Sequence, residues 1–199
     1  MWIWILIGLV GGSLLVVADR ITRASYESAP YRVVWSDEEF EVRDYPALTV
    51  VETPMAADNR DGSFARLFRF IDGGNAAGQK IAMTTPVFMA GDATNATMAF
   101  VLPTKMRAGE VPKPSDGAVT VRELPAGRFA VLRYSGGRNA QNEAKALARL
   151  KAWMEAATLA ALSPPVIGYF DPPWTPTFLR RNEVMLQTEE WVGAGKVKE

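Results

Sequence analysis

Lys80-Ile81-Ala82-Met83-Thr84-Thr85-Pro86-Val87 alternates as a β-strand does. Ile81, Met83, Thr85 and Val87 point one way, and Lys80, Ala82, Thr84 and Pro86 the other. A proline deletes a ladder donor, so Pro86 is expected on an edge or at a bulge. Taken alone the segment is one more half-buried strand. Its weight comes from the order of the elements around it.

That order repeats. Val42-Arg43-Asp44-Tyr45-Pro46-Ala47 recurs as Val121-Arg122-Glu123-Leu124-Pro125-Ala126, 79 residues on (121 − 42). Each copy runs into an apolar strand, 48–51 and 129–132, and each strand leads to an amphipathic helix. In the first helix Phe64, Leu67, Phe68 and Ile71 keep the i, i+3, i+4, i+7 spacing of one buried face. In the second, over about 139–162, the stripe is Leu147, Leu150, Met154 and Ala157. Phe70 and Trp153 border the two stripes and are read as packing on a sheet edge. Two apolar runs follow each helix, 81–89 with 98–102 and 166–170 with 183–188. The unit is β-α-β-β, present twice, which reads as an internal duplication. Two such units, each with one sheet face to bury, are expected to form a distorted antiparallel β-barrel with two flanking helices, an α+β fold. The Asp37-Glu38-Glu39 run is expected to be a solvated hairpin turn.

Within this frame the 80–87 segment resembles the signature of the SOUL haem-binding protein family, K-I-x-M-T-x-P-V. Phe40-Glu41-Val42-Arg43-Asp44-Tyr45-Pro46 resembles the family's opening strand, Y/F-E-V-R-x-Y. Phe64, Leu67, Phe70, Ile71, Gly73, Gly74 and Asn75 fall where the family has its first helix and glycine turn. Tyr169, Asp171-Pro172-Pro173 and Arg180-Arg181-Asn182-Glu183-Val184 are similar to its closing loop and last strand. The matches keep family order from about residue 31 to residue 190.

The resemblance implies a barrel related to bacterial effector-binding domains. It also implies non-covalent binding of haem or a related tetrapyrrole in a hydrophobic cleft between the first helix and the loop before the last strand. At the matching positions stand Phe64, Phe68 and Arg69 on the helix, and Trp174 and Thr175 in the loop. Met83 on the signature strand and Arg180 complete the candidate set. A flat macrocycle needs an apolar slot, and its propionates need cations, for which arginine is suited. The chain departs from the family twice: a methionine is usual at the Phe68 position and a basic residue at the Thr175 position. Arg180 or Arg181 stands as a replacement cation, or else belongs to a structural cluster with Asn182 and Glu183.

The chain has no cysteine and no histidine. That excludes disulfides, thiolate nucleophiles, covalent c-type haem, iron–sulfur clusters, Ser-His and Cys-His catalysis, the usual zinc sites and the commonest haem ligand. Met83 and Met89 read as core residues rather than axial ligands, so a carrier or buffering role without a histidine ligand is expected. No enzyme is expected: Glu183 and Glu123 are candidate acids, but nothing in the sequence makes them converge. Twenty-two basic and 22 acidic residues give zero net charge, and nothing points to nucleic acid. The alternative function is a membrane-anchored effector-binding or sensor module that uses the same cleft for another apolar molecule.

Residues 2–18 are apolar or small throughout, at the lower limit of a bilayer span. Trp2 and Trp4 suit one interface, and Arg20 and Arg23 mark the other end. A cleavable signal peptide competes, with Val16 and Ala18 at the positions a peptidase reads. No Lys or Arg precedes the apolar run, which favours an uncleaved anchor. The expected organisation is therefore an N-terminal hydrophobic helix over 1–18, a linker over 19–29, the binding domain over 30–190 and a flexible tail over 191–199. A single-pass membrane location is expected, with the cytoplasmic side favoured by the arginines and the periplasmic or secreted side if 1–18 is cleaved.

Overall fold

The computed structural model describes residues 26–56, 62–91, 94–106 and 108–189. Nine strands form one antiparallel sheet: β2 (Arg32–Asp37), β3 (Phe40–Tyr45), β4 (Leu48–Pro54), β6 (Val87–Ala90), β7 (Thr97–Val101), β8 (Thr120–Leu124), β9 (Gly127–Tyr134), β10 (Val166–Tyr169) and β11 (Asn182–Thr188). Their spatial order is β2-β3-β9-β11-β10-β6-β7-β4-β8. Two short strands, β1 (Glu27–Ser28) and β5 (Thr84–Thr85), pair in parallel beside it.

This order dictates the shape. Only Pro46 and Ala47 separate β3 from β4, yet six strand spacings lie between them in the sheet. Laid flat, that separation is about 29 Å, whereas three Cα steps reach about 11 Å. The sheet therefore curls until its ends approach, and Tyr45 and Leu48 meet in one apolar cluster. Pro125 and Ala126 impose the same constraint between β8 and β9. The two copies of the repeated hexapeptide are the two corners of a half-barrel. Their pairings share one register: Val42 faces Ala130, and 79 residues away (121 − 42 and 130 − 51) Val121 faces Val51. Leaving β2 aside, exchanging β3, β4, β6 and β7 for β8, β9, β10 and β11 gives the same sheet order read from the opposite end.

Alternation along the strands divides the core into an outer and an inner layer. On the outer face helix α1 (Ser63–Ile71) covers β4, β6 and β7 through Leu67, Phe70 and Ile71 against Val51, Val87, Met98 and Phe100. Helix α2 (Ala140–Ala156) covers β9 and β11 through Ala146, Leu150 and Met154 against Ala130, Leu132, Val184 and Leu186. On the inner face Tyr45, Leu48, Val50, Phe88, Val131 and Met185 meet. Trp153 stacks on Trp35 and Phe40, at centroid distances of 5.4 and 5.2 Å, and ties α2 to the β2–β3 hairpin. The turn of that hairpin is Glu38-Glu39, where Glu38 is exposed and Glu39 is half-buried and ion-paired with Arg149.

Local chemistry explains the helix ends. Asn139 caps α2 by accepting from the Asn142 backbone N–H at 2.9 Å. After α1, Gly73 takes a φ of 103°, and a Cβ on Gly74 would sit 2.7 Å from the Arg69 carbonyl. Asn75 then fastens the turn: its amide donates to Phe70 O and Gln79 O, and its carbonyl accepts from the Ala77 and Gln79 N–H groups.

Four expectations are corrected. The 80–87 segment is not one alternating strand. It holds the two-residue β5, then breaks at Pro86 behind a cis Thr85–Pro86 peptide before β6 begins. Thr84 and Pro86 are buried along with Thr85 and Val87, because Thr84 Oγ1 donates to Val101 O at 2.5 Å and Pro86 lies against Gly168. In α1 the buried face is Leu67, Phe70 and Ile71, while Phe64 and Phe68 are 43% and 48% exposed. Helix α2 ends at Ala156, short of 162, where Thr158 takes a φ of 57°. The single-pass membrane location is also withdrawn: among the described residues no helix is long and apolar enough to cross a membrane. Residues 1–18, on which that expectation rested, lie outside the described residues, as does the 191–199 tail. Within the expected linker, Glu27 and Ser28 form β1 and Ala29 is buried, its N–H donating to Thr85 O at 2.7 Å.

Thr84→Asp is expected to destabilise the domain by several kcal/mol, roughly 3 or more, by burying a carboxylate against a carbonyl. Ala82→Asp, at an exposed position two residues away, is expected to change stability by less than about 0.5 kcal/mol. Urea unfolding midpoints of the two variants check the assignment; equal midpoints contradict it.

Candidate ligand-binding site

Of the residues singled out in the sequence, Phe64 and Phe68 come together. They stack on the solvent side of α1 at a centroid distance of 6.2 Å, and Phe64 rests edge-on against buried Phe100 at 5.2 Å. Arg69, next on the helix, is exposed. Met83 is half-buried and packs into the core beneath the same helix. Trp174 stands on the loop between β10 and β11 and is 76% exposed. Thr175 beside it is buried, its N–H donating to Pro172 O at 3.1 Å.

Arg180 holds that loop. Its guanidinium donates to Thr175 O at 2.8 Å and to Pro173 O, the carbonyls on either side of Trp174. Asp171 anchors the loop by accepting from the Arg181 N–H at 2.5 Å, and its carbonyl accepts from Arg138.

The two charged motifs meet on the inner face instead. Arg43 on β3 and Glu183 on β11, 140 residues apart, form a bidentate pair at 2.7 and 3.0 Å with both side chains 0% exposed. Arg43 also donates to Glu41 at 2.6 Å and to the Tyr45 hydroxyl at 3.1 Å, and it stacks over the Tyr31 ring at 4.2 Å. Arg181 donates to Glu183 at 2.6 Å and lies over Phe170 at 4.0 Å, while Arg133 closes on Glu41. Burial alone pulls the Arg43 pKa down, but Glu183 and Glu41 outweigh it and hold it above the ordinary value. Burial likewise lowers Arg181, and Glu183 with the Tyr31 hydroxyl reverses the sign. The Glu41 and Arg43 of one motif and the Glu183 of the other are therefore a structural lock. Glu123 is one residue out of phase with inward-facing Arg122 on β8, so it lies on the face opposite Glu183 and the two candidate acids do not converge.

Two pockets open elsewhere. One lies inside the half-barrel, encloses about 160 Å³ and is lined mainly by apolar side chains, with Glu52 and Arg122 among them. The other is a polar groove of about 900 Å³ between the Glu38-Glu39 turn, the first half of α2 and the residues around Phe178. Of the residues expected at the ligand cleft, Arg180 alone lines either pocket. The inner pocket was not legible in the sequence, because its polar pair sits on strands 70 residues apart. Among the described residues no cluster of three or more metal-ligating side chains occurs.

The family profile described as SOUL heme-binding protein matches residues 26–187. Solved structures share the fold at low identity. The C-terminal domain of EcmrR is 11% identical, with a TM-score of 0.59, covering 80% of this chain and 98% of that one. An uncharacterized conserved protein from Listeria innocua is 10% identical, with a TM-score of 0.60, covering 77% and 93%. A hydrolase from the same organism is 10% identical at a TM-score of 0.57, covering 78% and 94%. At these identities the likeness is one of fold alone. A comparison with curated proteins found no match.

The buried tyrosines give this arrangement a pH signature. Burial first, and the Glu183 charge after it, push Tyr45 up to about 12 against the pull of Arg43. Burial raises Tyr134 as well, and burial together with a hydrogen bond to Glu143 raises Tyr169. A raised pKa in the fold means stability that is intact below the free phenol value of about 10 and falls as pH rises beyond it. These three of the five tyrosines are expected to stay protonated at about pH 11 and to ionise together as the chain unfolds. An ultraviolet absorbance titration followed in parallel with circular dichroism checks this; full ionisation before unfolding contradicts it.

Proposed function

The chain belongs to the SOUL heme-binding protein family, and from that premise we propose that it binds haem or a related tetrapyrrole non-covalently, as a carrier rather than an enzyme. The observation that carries the reading is the Phe64–Phe68 stack, two aromatic rings left nearly half exposed on one helix although Leu67, Phe70 and Ile71 already fill its buried face. Adjacent exposed rings cost solvation and add little to the core, which suits a surface meant to be covered. The macrocycle would lie on Phe64 and Phe68, with Arg69 pairing a propionate and Trp174 covering the far side. Arg180 would act through the loop, since its donors hold the carbonyls around Trp174. Met83 would support the helix from below.

The residues present fit a macrocycle better than they fit its metal. Bound haem would bring iron, but the chain offers neither histidine nor cysteine to ligate it. Contact with the ring and pairing of its carboxylates would then supply the affinity, a design that favours release. We also read the exchangeable strand order and the shared register as the product of duplication, so that α1 and α2 are counterparts of which only α1 kept an exposed aromatic pair.

Haem and metal-free protoporphyrin are expected to bind with affinities within about threefold of each other, because coordination contributes little. Removing one charge-assisted contact with Arg69→Gln is expected to weaken both by about tenfold. Phe64→Ala combined with Phe68→Ala is expected to abolish binding with little loss of stability. Absorption and fluorescence titrations read all of these. A low-spin haem spectrum with haem bound at least a hundredfold more tightly than the free porphyrin overturns the uncoordinated carrier, and no binding of either overturns the function.

A further inference from the structure

The repeated hexapeptides put an arginine at the same place in both halves, and the two arginines have different surroundings. Arg43 is fully buried and bound by two carboxylates. Arg122, its counterpart, has a side chain 54% exposed and reaches the Glu52 carboxylate on neighbouring β4 at 3.0 Å. Around Arg43 the inner face is filled by Glu41, Tyr45 and Glu183, with Ala29 and Tyr31 laid over it from the N-terminal segment. Around Arg122 the corresponding positions hold Thr120 and Leu124, and the pocket is the space left over.

We propose that this inner pocket is a second ligand site, distinct from the tetrapyrrole surface, and that it takes an organic cation of one or two aromatic rings, which replaces Arg122 at Glu52.

Size limits the occupant. The pocket offers about 160 Å³ and opens on one side; an apolar cavity of about 150 Å³ accepts benzene, so one ring fills it, a second reaches its mouth and a macrocycle is excluded. Its walls include the rings of Tyr45, Phe88 and Phe129 with the Leu48 and Met185 side chains, which suit a flat apolar body.

Charge selects the sign. Glu52 is fixed in the wall by β4, with its side chain 11% exposed, whereas Arg122 reaches it from the rim. An organic anion would have to draw Arg122 away and leave a buried carboxylate without its cation, the costly way to break such a pair. An organic cation takes over the carboxylate and releases an arginine that is already half in water, which costs little. The aromatic walls also favour a cation over their faces.

Calorimetric titration of the full chain with naphthylmethylammonium, naphthoate and naphthalenemethanol tests this. The ammonium compound is expected to bind at least about tenfold more tightly than the carboxylate. Glu52→Gln, which keeps the side-chain shape, is expected to erase that preference, with circular dichroism confirming the fold. Arg122→Ala, at an exposed side chain, is expected to keep or tighten ammonium binding and to widen the preference, and it carries the test alone if Glu52→Gln does not fold. Phe64→Ala is expected to leave all three affinities unchanged, which separates this site from the tetrapyrrole surface. Naphthoate binding as tightly as the ammonium compound, an ammonium affinity lost in Arg122→Ala, or no binding of any of the three overturns the proposal.

Discussion

Two residues join β3 to β4 and two join β8 to β9, although each pair of strands is separated by most of the sheet. A chain that short cannot cross a flat nine-stranded sheet, so it bends the sheet into a half-barrel. Everything else follows from that bend. The outer face becomes convex and takes two helices, one over each half. The inner face becomes a confined space that side chains alone must fill.

The two halves fill that space differently. One half buries a guanidinium and two carboxylates, an arrangement that is expensive to desolvate and tolerable only when each charged group is paired. Arg43 meets this condition with Glu183, Glu41 and the Tyr45 hydroxyl, while Arg181 and Arg133 complete the carboxylates. Because Glu183 comes from β11 and Arg43 from β3, with β9 between them, the pair ties three neighbouring strands of that half together. The other half has one arginine, one carboxylate and open volume. A buried ionic lock and an open pocket thus sit beside the two copies of one motif. The outer aromatic pair on α1, proposed above to carry the tetrapyrrole, lies on the opposite face of the sheet.

Much of this was legible in the residues. The hexapeptide repeat located β3 and β8, the apolar runs located β4, β6, β7, β9, β10 and β11, and Asn139 marked the start of α2. Periodicity failed where apolar residues exceed one face. In α1 five of nine positions are Phe, Leu or Ile, so the 3.6-residue repeat admits several stripes, and packing chose the one containing Phe70. It failed again at 84–87, where both sides of the chain are covered and alternation carries no information. In α2 the run of alanines after Met154 offers no stop signal, so the end was set by the backbone at Thr158. The buried lock was hidden for a different reason. Glu41, Arg43 and Glu183 alternate with apolar neighbours as a solvated strand face does, and only the curl of the sheet turns that face inward. The pocket was hidden because it is a vacancy, produced by residues that one half has and the other lacks.

The division between a locked and a loose arginine is open to direct measurement by two double-mutant cycles in urea, Arg43→Met with Glu183→Leu and Arg122→Met with Glu52→Leu. The account predicts a coupling of roughly 3 kcal/mol or more in the first cycle, because either single change leaves a fully buried charge without its bidentate partner. It predicts less than about 1 kcal/mol in the second, where the guanidinium is half solvated. Equal couplings in the two cycles would contradict it.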